Sequence, residues 1–241
     1  MTPSAAPGPA EGQGPTDLRS RLSAIDARIA DAARLAGRDA REITRIVVTK
    51  FHPASLVREL HALGVREVGE NRQQELSAKA EVLVDLDDLR WHFIGQAQTN
   101  KAAAIRRSAD AVHSVDRERL ADALHRAAED DSILDVLVQI NLTDDPGRGG
   151  VAPEAATALG EHVLSLPSLR LRGVMAVAPL DEEPASAFAR LRDVAEGIRS
   201  LEPSATWISA GMTGDFVEAI DAGATHLRIG SAITGPRPDR G

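Results

Sequence analysis

The chain has no cysteine and no tyrosine among its 241 residues, and aromatic residues make up only 2% of it. Without cysteine it can form no disulfide, no thiolate nucleophile and no cysteine-ligated zinc site. Without tyrosine it lacks one of the side chains that enzymes use as a general acid or base. Thiol chemistry is therefore excluded, and so is any mechanism that needs a tyrosine base.

The chain also lacks an excess of basic charge and any long apolar run. Its net charge of −8 argues against a nucleic-acid-binding surface. No apolar stretch reaches the roughly 20 residues that a membrane span needs, and the N-terminus lacks the basic-then-apolar order of a signal peptide. We therefore expect a cytoplasmic protein that binds neither nucleic acid nor membranes, and its length suits one large α/β domain.

Lysine is scarce. The 28 basic residues include only three lysines, Lys50, Lys79 and Lys101, so the other 25 are arginines. Lys50 ends the apolar run 45–50, whose consecutive β-branched residues predict a buried strand. An ammonium at such a strand end is costly to desolvate, which favours a free amine able to form a Schiff base. The alternative is that Lys50 simply extends from the strand end into solvent.

The first residues differ in composition from the rest. Residues 1–16 are rich in Pro, Gly, Ala and Ser without an apolar period, which predicts a disordered tail. Apolar spacing then predicts a helix over 17–36, with Gly37 as its stop. We expect residues 17–241 to form one domain.

Apolar runs alternate with helical periods along the rest of the chain. The predicted strands are 45–50, 66–70, 90–95, 111–115, 134–141, 170–177, 206–210 and 226–230. The predicted helices are 53–63, 72–84, 99–107, 117–130, 153–165, 185–200, 214–222 and a short one from 231. This alternation predicts an α/β fold with a closed parallel sheet, a single (β/α)8 TIM barrel with an extra N-terminal helix. A doubly wound open sheet is the alternative, although the first strand-to-helix turn lacks a dinucleotide-binding glycine fingerprint.

In such a barrel the active face is built from the carboxyl ends of the strands. Small residues and hydroxyls follow the last two predicted strands, at Ser209, Gly211, Thr213, Gly230 and Ser231. Next to a helix that starts near Ser231, they predict a phosphate site, with turn and cap roles as the alternative. Combined with a Schiff-base lysine on the neighbouring first strand, a phosphate site indicates pyridoxal 5′-phosphate.

Other polar residues at the predicted strand ends allow more than one role. Arg228 lies two residues before Gly230, so strand alternation should point both toward the cofactor ring. An arginine cannot accept the proton of the pyridine nitrogen, which would leave the ring a weak electron sink. The alternative for Arg228 is a salt bridge at the barrel rim. His92 is either a proton carrier or a buried histidine bonded to backbone, and Glu70 either orients Asn71 or pairs with an arginine.

Eight segments, taken in order, resemble motifs of the YggS/PROSC family of pyridoxal phosphate homeostasis proteins, whose fold is similar to the N-terminal barrel of alanine racemase. The segments are Val48-Thr49-Lys50, Gly69-Glu70-Asn71, Trp91-His92-Phe93-Ile94-Gly95, Gln98-Thr99-Asn100-Lys101, Gln139-Ile140-Asn141, Leu171-Arg172-Gly173-Val174-Met175, Ser209-Ala210-Gly211-Met212 and Arg228-Ile229-Gly230. The resemblance covers about residues 46–235. It implies that Lys50 holds the cofactor as a Schiff base, with Asn71 beside the ring and Arg228 at the pyridine nitrogen. It also implies phosphate contacts from these residues: Ser209, Met212, Gly230 and Ser231.

The chain departs from the family pattern at a few positions. Thr213 and Ser231 stand for the usual serine and threonine, and both keep a hydroxyl. Ala210 replaces a methionine and Thr234 an aromatic residue, which implies a looser fit for the ligand. Arg148 replaces the lysine that usually follows the fifth strand, and it preserves the charge.

The resemblance implies a protein that binds pyridoxal 5′-phosphate (PLP) for vitamin B6 homeostasis and is not an enzyme. Schiff-base exchange suits such a carrier, because a lysine of a PLP-dependent apo-enzyme can displace Lys50 and take the cofactor. The alternative is an amino-acid racemase, whose two-base reaction uses a tyrosine that this chain lacks. A metal-dependent aldolase-type barrel is disfavoured because no carboxylates and histidines cluster at the predicted strand ends. We expect a monomer without a bound metal.

Overall fold

The computed structural model describes residues 17–237, which form a closed barrel of eight parallel strands in sequence order. Short apolar runs form these strands because helices cover the outside of the sheet and side chains fill its inside. The strands are β1 (Thr44–Val48), β2 (Glu67–Glu70), β3 (Arg90–Phe93), β4 (Ala111–Val115), β5 (Leu134–Gln139), β6 (Leu169–Met175), β7 (Trp207–Ser209) and β8 (His226–Ile229). The predicted barrel is confirmed, and the open-sheet alternative is wrong.

Nine α-helices surround the barrel or follow it within the described range. They are α1 (Leu18–Leu35), α2 (Ala54–Ala62), α3 (Gln73–Val82), α4 (Ala102–Ser108), α5 (Glu118–Arg126), α6 (Ala156–Leu164), α7 (Pro184–Leu201), α8 (Phe216–Asp221) and α9 (Ser231–Thr234). Short 3-10 turns occupy 40–42, 99–101, 146–148 and 153–155. Within residues 17–237 no helix combines the length and the apolar character that crossing a membrane requires.

The predicted N-terminal helix is present as α1. Asp17 caps it by accepting a hydrogen bond from the N–H of Ser20 at 2.9 Å, and Gly37 follows its end with a φ of +67°. Its buried face packs against α8 and α9, where Arg21 Nε donates to the carbonyl of Ile233 at 2.7 Å. The predicted disordered tail, 1–16, lies outside the described residues, as do the last four residues of the predicted domain.

The barrel closes through pairing of its first and last strands. Thr44 pairs with His226, and Ile46 pairs with Arg228. Because strand side chains alternate between faces, Ile46, Arg228 and Val48 share the inner face of the barrel. This closure places the end of β1 beside the end of β8.

The strand that leads to Lys50 ends earlier than predicted. Its ladder with β2 reaches the pairs Val47–Val68 and Val48–Gly69 and stops there. The N–H of Thr49 still donates to the carbonyl of Gly69 at 3.0 Å, but Lys50 already lies in a turn. Lys50 is thus two residues beyond the strand rather than its last member.

We expect Gly173→Ala to destabilise the barrel strongly. Gly173 has a φ of +146°, and a Cβ there would lie 1.9 Å from the carbonyl oxygen of Trp207 on the next strand. The expected loss in the free energy of unfolding is about 3 kcal/mol, measured by urea denaturation.

Gly197→Ala, in α7, is the matched control. A methyl group there would meet nothing nearer than Thr157 Oγ1 at 3.7 Å. Alanine favours helix, so this variant should keep or gain stability, by about 0.5 kcal/mol. Equal stability of the two variants would contradict the close approach of β6 and β7.

Candidate functional site

The seven predicted site residues come from four strand ends around the carboxyl-terminal mouth of the barrel. Lys50 follows β1, Asn71 follows β2, Ser209 and Met212 end and follow β7, and the remaining three end or follow β8. Gly230 lies against β1, since a Cβ on it would stand 3.6 Å from Val48 Cβ. The fold therefore brings the predicted residues to one face.

Lys50 is exposed at this mouth. The sequence predicted an amine partly desolvated by a core strand, and the early end of β1 instead places the side chain in solvent. The structure therefore agrees with the alternative in which Lys50 extends from the strand end into solvent. Any reactivity of its amine must therefore come from its position and from the charges around it.

Arg228 is buried inside the barrel near the end of β8. One terminal nitrogen donates to Ser209 Oγ at 2.7 Å and the other to the carbonyl of Ala176 at 2.8 Å. None of the ion pairs formed within residues 17–237 includes Arg228, so the alternative of a salt bridge at the barrel rim is wrong. Burial lowers the pKa of Arg228 to about 10, and the negative charge of Asp215 opposes this only in part. The guanidinium stays charged at neutral pH.

Ser209 links Arg228 to a line of buried side chains that crosses the barrel interior. His113 Nδ1 lies 2.8 Å from Ser209 Oγ, and His113 Nε2 lies 2.8 Å from His92 Nδ1. His92 Nε2 lies 2.5 Å from Glu67 Oε2, at the start of β2. We call these five residues, Glu67, His92, His113, Ser209 and Arg228, the interior chain.

Arg228 fixes the direction of the hydrogen bond at its own end of the interior chain. Burial, with the charges of neighbouring histidines and arginines, lowers the pKa of His113 well below its usual value, so this ring is neutral. Arg228 can only donate. A neutral His113 carries one ring proton, so one of its two ring nitrogens donates along the chain and the other accepts. Ser209 Oγ is left as an acceptor for Arg228.

Asn71 is held at the mouth by a close backbone approach. A Cβ on Gly95, after β3, would lie 2.0 Å from the carbonyl oxygen of Asn71, so only glycine allows the two segments to cross. The side-chain Oδ1 of Asn71 is buried and has no hydrogen-bond partner in the described part of the chain. Because a buried polar atom without a partner is costly, this amide is suited to a ligand.

The predicted phosphate residues differ in what they offer. Ser231 opens α9, where the N–H groups of Ser231 and Ala232 have no acceptor within the helix, while that of Ile233 donates to the carbonyl of Gly230 at 2.8 Å. The N–H of Met212 already donates to Asp215 Oδ1 at 2.6 Å, and its side chain is exposed. The end of β8 therefore offers backbone N–H donors at the start of α9. After β7, in contrast, the N–H of Met212 is already bonded to the residue that precedes α8.

Three cations surround the ring of Phe51 beside this mouth. Lys50 Nζ lies 5.8 Å from the ring centroid, and the guanidinium carbons of Arg72 and Arg237 lie at 5.3 and 4.0 Å. Clustered positive charge attracts anions. A cavity of about 220 Å³ also opens beside Arg148 at the ends of β5 and β6, but none of the seven predicted residues lines it.

A family model described as the alanine racemase N-terminal domain matches residues 20–238. The pyridoxal phosphate homeostasis protein of Pseudomonas aeruginosa is 41% identical, over 91% of this chain and 96% of that protein. That of Mycobacterium tuberculosis is 39% identical over 92% and 93%, and that of Escherichia coli 37% identical over 92% and 97%. The chain belongs to the family of pyridoxal phosphate homeostasis proteins.

Solved structures of similar fold include proteins that bind PLP or share the alanine racemase barrel. PipY of Synechococcus elongatus, solved with PLP bound, is 33% identical with a TM-score of 0.79, and the match covers 91% of this chain and all of PipY. Alanine racemase of Corynebacterium glutamicum has a TM-score of 0.65 at 18% identity, over 90% of this chain and 61% of the racemase. The racemase likeness shows a shared fold.

The sequence did not predict the hydrogen-bond partners of two residues near the site, His92 and Glu70. His92 is bonded to two side chains, Glu67 and His113, and not to backbone. Glu70 accepts from Lys79 and Thr49, so it neither orients Asn71 nor pairs with an arginine. The signal for both was weak, because a polar residue inside a strand does not reveal which distant strand supplies its partner.

Acid should destabilise this barrel through its buried histidines. Burial, followed by the charges of His92 and Arg90, lowers the pKa of His226 from 6.5 to about 3. The unfolded chain therefore binds more protons than the folded one between these values, and stability falls as pH falls. The expected slope is about 1.4 kcal/mol per pH unit from this residue.

His226→Phe tests this slope, since it keeps a ring against Trp207, whose centroid is 4.1 Å away. Urea unfolding at a series of pH values between about 6 and 4 should give a slope shallower by about 1.4 kcal/mol per unit in the variant. Identical slopes would show that folding does not lower the pKa of His226.

Proposed function

We propose that this chain binds pyridoxal 5′-phosphate, holds it as a Schiff base on Lys50, and serves vitamin B6 homeostasis by storing and releasing it. The observation that carries the proposal is Arg228, a buried cation near the barrel mouth that has no carboxylate partner among residues 17–237. An uncompensated buried charge is costly, and such groups are typical of functional sites. Closure of β1 on β8 puts this cation beside the strand that leads to Lys50.

The residues present fit this cofactor. Two of the five N–H donors of Arg228 have acceptors within residues 17–237, which leaves donors for a ring nitrogen. The partnerless Oδ1 end of Asn71 supplies a second polar contact for the ring, with its amide orientation set by the ligand. The first-turn N–H groups at Ser231, after Gly230, suit the phosphate.

Each group has a defined part in this proposal. When bound, PLP supplies an aldehyde that amines capture reversibly. The Lys50 amine would hold the cofactor through that aldehyde, and the cations around Phe51, which are Lys50, Arg72 and Arg237, would attract the anionic cofactor to the mouth. Met212 and Ser209 remain predicted phosphate contacts, with the Ser209 hydroxyl already committed to the interior chain.

A carrier role is favoured over a racemase role. The relatives are named homeostasis proteins, and none of the 241 residues is a tyrosine that could act as the second base. Arg228 can only donate to the pyridine nitrogen, which keeps that nitrogen unprotonated and the ring a weak electron sink, and this suits a cofactor that is kept without being used. Exposure of Lys50 allows an amine, including the lysine of a PLP-dependent apo-enzyme, to reach the link and displace it. We propose that the chain acts as a monomer.

Lys50→Ala should abolish covalent labelling by PLP. The wild-type protein mixed with PLP is expected to show a yellow imine band, and borohydride should fix the cofactor on the peptide that contains Lys50. Lys101→Ala, which removes another of the three lysines, is the matched control and should label like wild type. Labelling of the Lys50→Ala variant would contradict the proposal, as would rapid racemization of D- or L-alanine by the wild-type protein.

Arg228→Met should separate ligand binding from stability. Removing a buried cation that has no carboxylate partner relieves a desolvation cost, so the free energy of unfolding should change by no more than about 1 kcal/mol. Affinity for PLP should fall at least about tenfold, because the ring loses its donor. Urea unfolding and PLP titration measure the two quantities. A large loss of stability with unchanged affinity would make Arg228 a structural residue.

A further inference from the structure

A second lysine lies directly behind the turn that carries Lys50. Lys79, on α3, is buried, and its Nζ donates to Glu70 Oε1 at 2.5 Å and to the carbonyl of Thr49 at 2.8 Å. It also lies 3.9 Å from Glu75 Oε2. By strand alternation, Thr49 and Glu70 point outward from the barrel wall, toward α3, while Lys50 faces the mouth. We call Lys79, Glu70 and Glu75 the rear clamp.

The rear clamp binds the backbone on both sides of Lys50. The peptide group before Lys50 is held at its carbonyl, Thr49 O, by the ammonium of Lys79. The peptide group after it is held at its N–H, since Phe51 N donates to Glu75 Oε2 at 2.7 Å. Hydrogen bonds to charged groups are stronger than those between neutral groups. Both peptide planes that orient the Lys50 side chain are therefore fixed by ionised side chains.

The turn that these bonds hold is strained. Phe51 has a φ of +70°, and within residues 17–237 it is the only non-glycine residue with a positive φ. Such a conformation is unfavourable for a residue with a Cβ and persists where the surroundings impose it. Here the bond to Glu75 lies on the strained residue itself. The clamp thus keeps the chain turned toward the mouth immediately after Lys50.

Stability alone does not account for this buried ion pair. Glu70 is fully buried, burial raises the pKa of its carboxyl group, and its Oε2 has no hydrogen-bond partner among the described residues. Buried ion pairs of this kind often stabilise a fold no better than well-packed apolar residues would. Their better-supported use is to fix one geometry. The geometry fixed here is that of the backbone around Lys50.

We propose that Lys79, together with Glu70 and Glu75, is a positioning group that orients Lys50 for capture of the cofactor aldehyde. The inference rests on the proposed function of Lys50 and adds a requirement for a second lysine. A compact ammonium with three donors fits between two carboxylates and a carbonyl, where the planar guanidinium of an arginine would not. In a chain with 25 arginines, this explains a lysine at position 79.

The test uses the paired variant Lys79→Met with Glu70→Gln. It removes both charges, so no uncompensated carboxylate stays buried, and Gln can still accept from Thr49. Glu75→Met, which removes the acceptor for Phe51 N–H at a part-exposed position, is a second variant that should fold. Glu75→Gln keeps an acceptor and is its conservative control.

Three measurements separate positioning from a general structural role. The first is the equilibrium constant for imine formation between PLP and Lys50. The second is affinity for pyridoxine 5′-phosphate, which has the same ring and phosphate but an alcohol in place of the aldehyde. The third is amide hydrogen exchange of the segment 49–52 in the ligand-free protein, which reports on the turn directly.

Imine formation should weaken at least about tenfold in the paired variant and in Glu75→Met, while pyridoxine 5′-phosphate binds within about twofold of wild type. Exchange at Phe51 should accelerate in both, and Glu75→Gln, which keeps the acceptor but loses the charge, should lie between Glu75→Met and wild type in imine formation and exchange. Folded variants with normal imine formation would overturn the inference alone, and so would equal weakening of both ligands. A wild-type protein that never labels at Lys50 would overturn the proposed function and the inference with it.

Discussion

The pairing of β1 with β8 is the contact on which the site depends. These are the first and the last strand of the barrel, and their ladder, from Thr44–His226 to Val47–Ile229, closes it. Every other strand pair joins neighbours in sequence. Only this one places the turn of Lys50 beside Gly230 and above Arg228. Without closure the residues of a cofactor site would exist, but they would lie on opposite edges of an open sheet.

Closure also creates the interior chain, which no single βα unit contains. Its members come from β2, β3, β4, β7 and β8, and the hydrogen bond between His113 on β4 and Ser209 on β7 crosses the inside of the barrel. A barrel interior is usually filled by branched apolar side chains. Here a line of hydrogen-bonded polar groups leads to one guanidinium, that of Arg228. The hydroxyl of Ser209 and the carbonyl of Ala176 orient this guanidinium, and because both groups are neutral they do not cancel its positive charge.

The sequence predicts much of the fold because buried parallel strands and their covering helices leave strong apolar patterns. It predicts the inward position of Arg228 as well, since alternation within one strand is local. It places the end of β1 two residues too late, because nothing in a run of β-branched residues marks where ladder bonds stop. For the same reason, the sequence favoured a desolvated Lys50, whereas the structure exposes it.

Partners across the barrel lie beyond such local patterns. His92 and Ser209 could be located on their strands, but not joined through His113, because barrel closure decides which strands face one another. Lys79 shows a different limit. With Glu75 four residues before it on a helix, it has the spacing of an ordinary surface ion pair. Its burial against β1 and β2 becomes visible only in three dimensions.

The contrast between an exposed Lys50 and an enclosed Arg228 bears on how a stored cofactor would leave. Amines in the surrounding solution can reach the lysine without any rearrangement of the strands, while the floor of the site stays intact. With the cofactor held on Lys50 as proposed, its departure would be governed by mass action, through the concentration and affinity of competing amines outside. A reservoir of that kind would respond directly to demand.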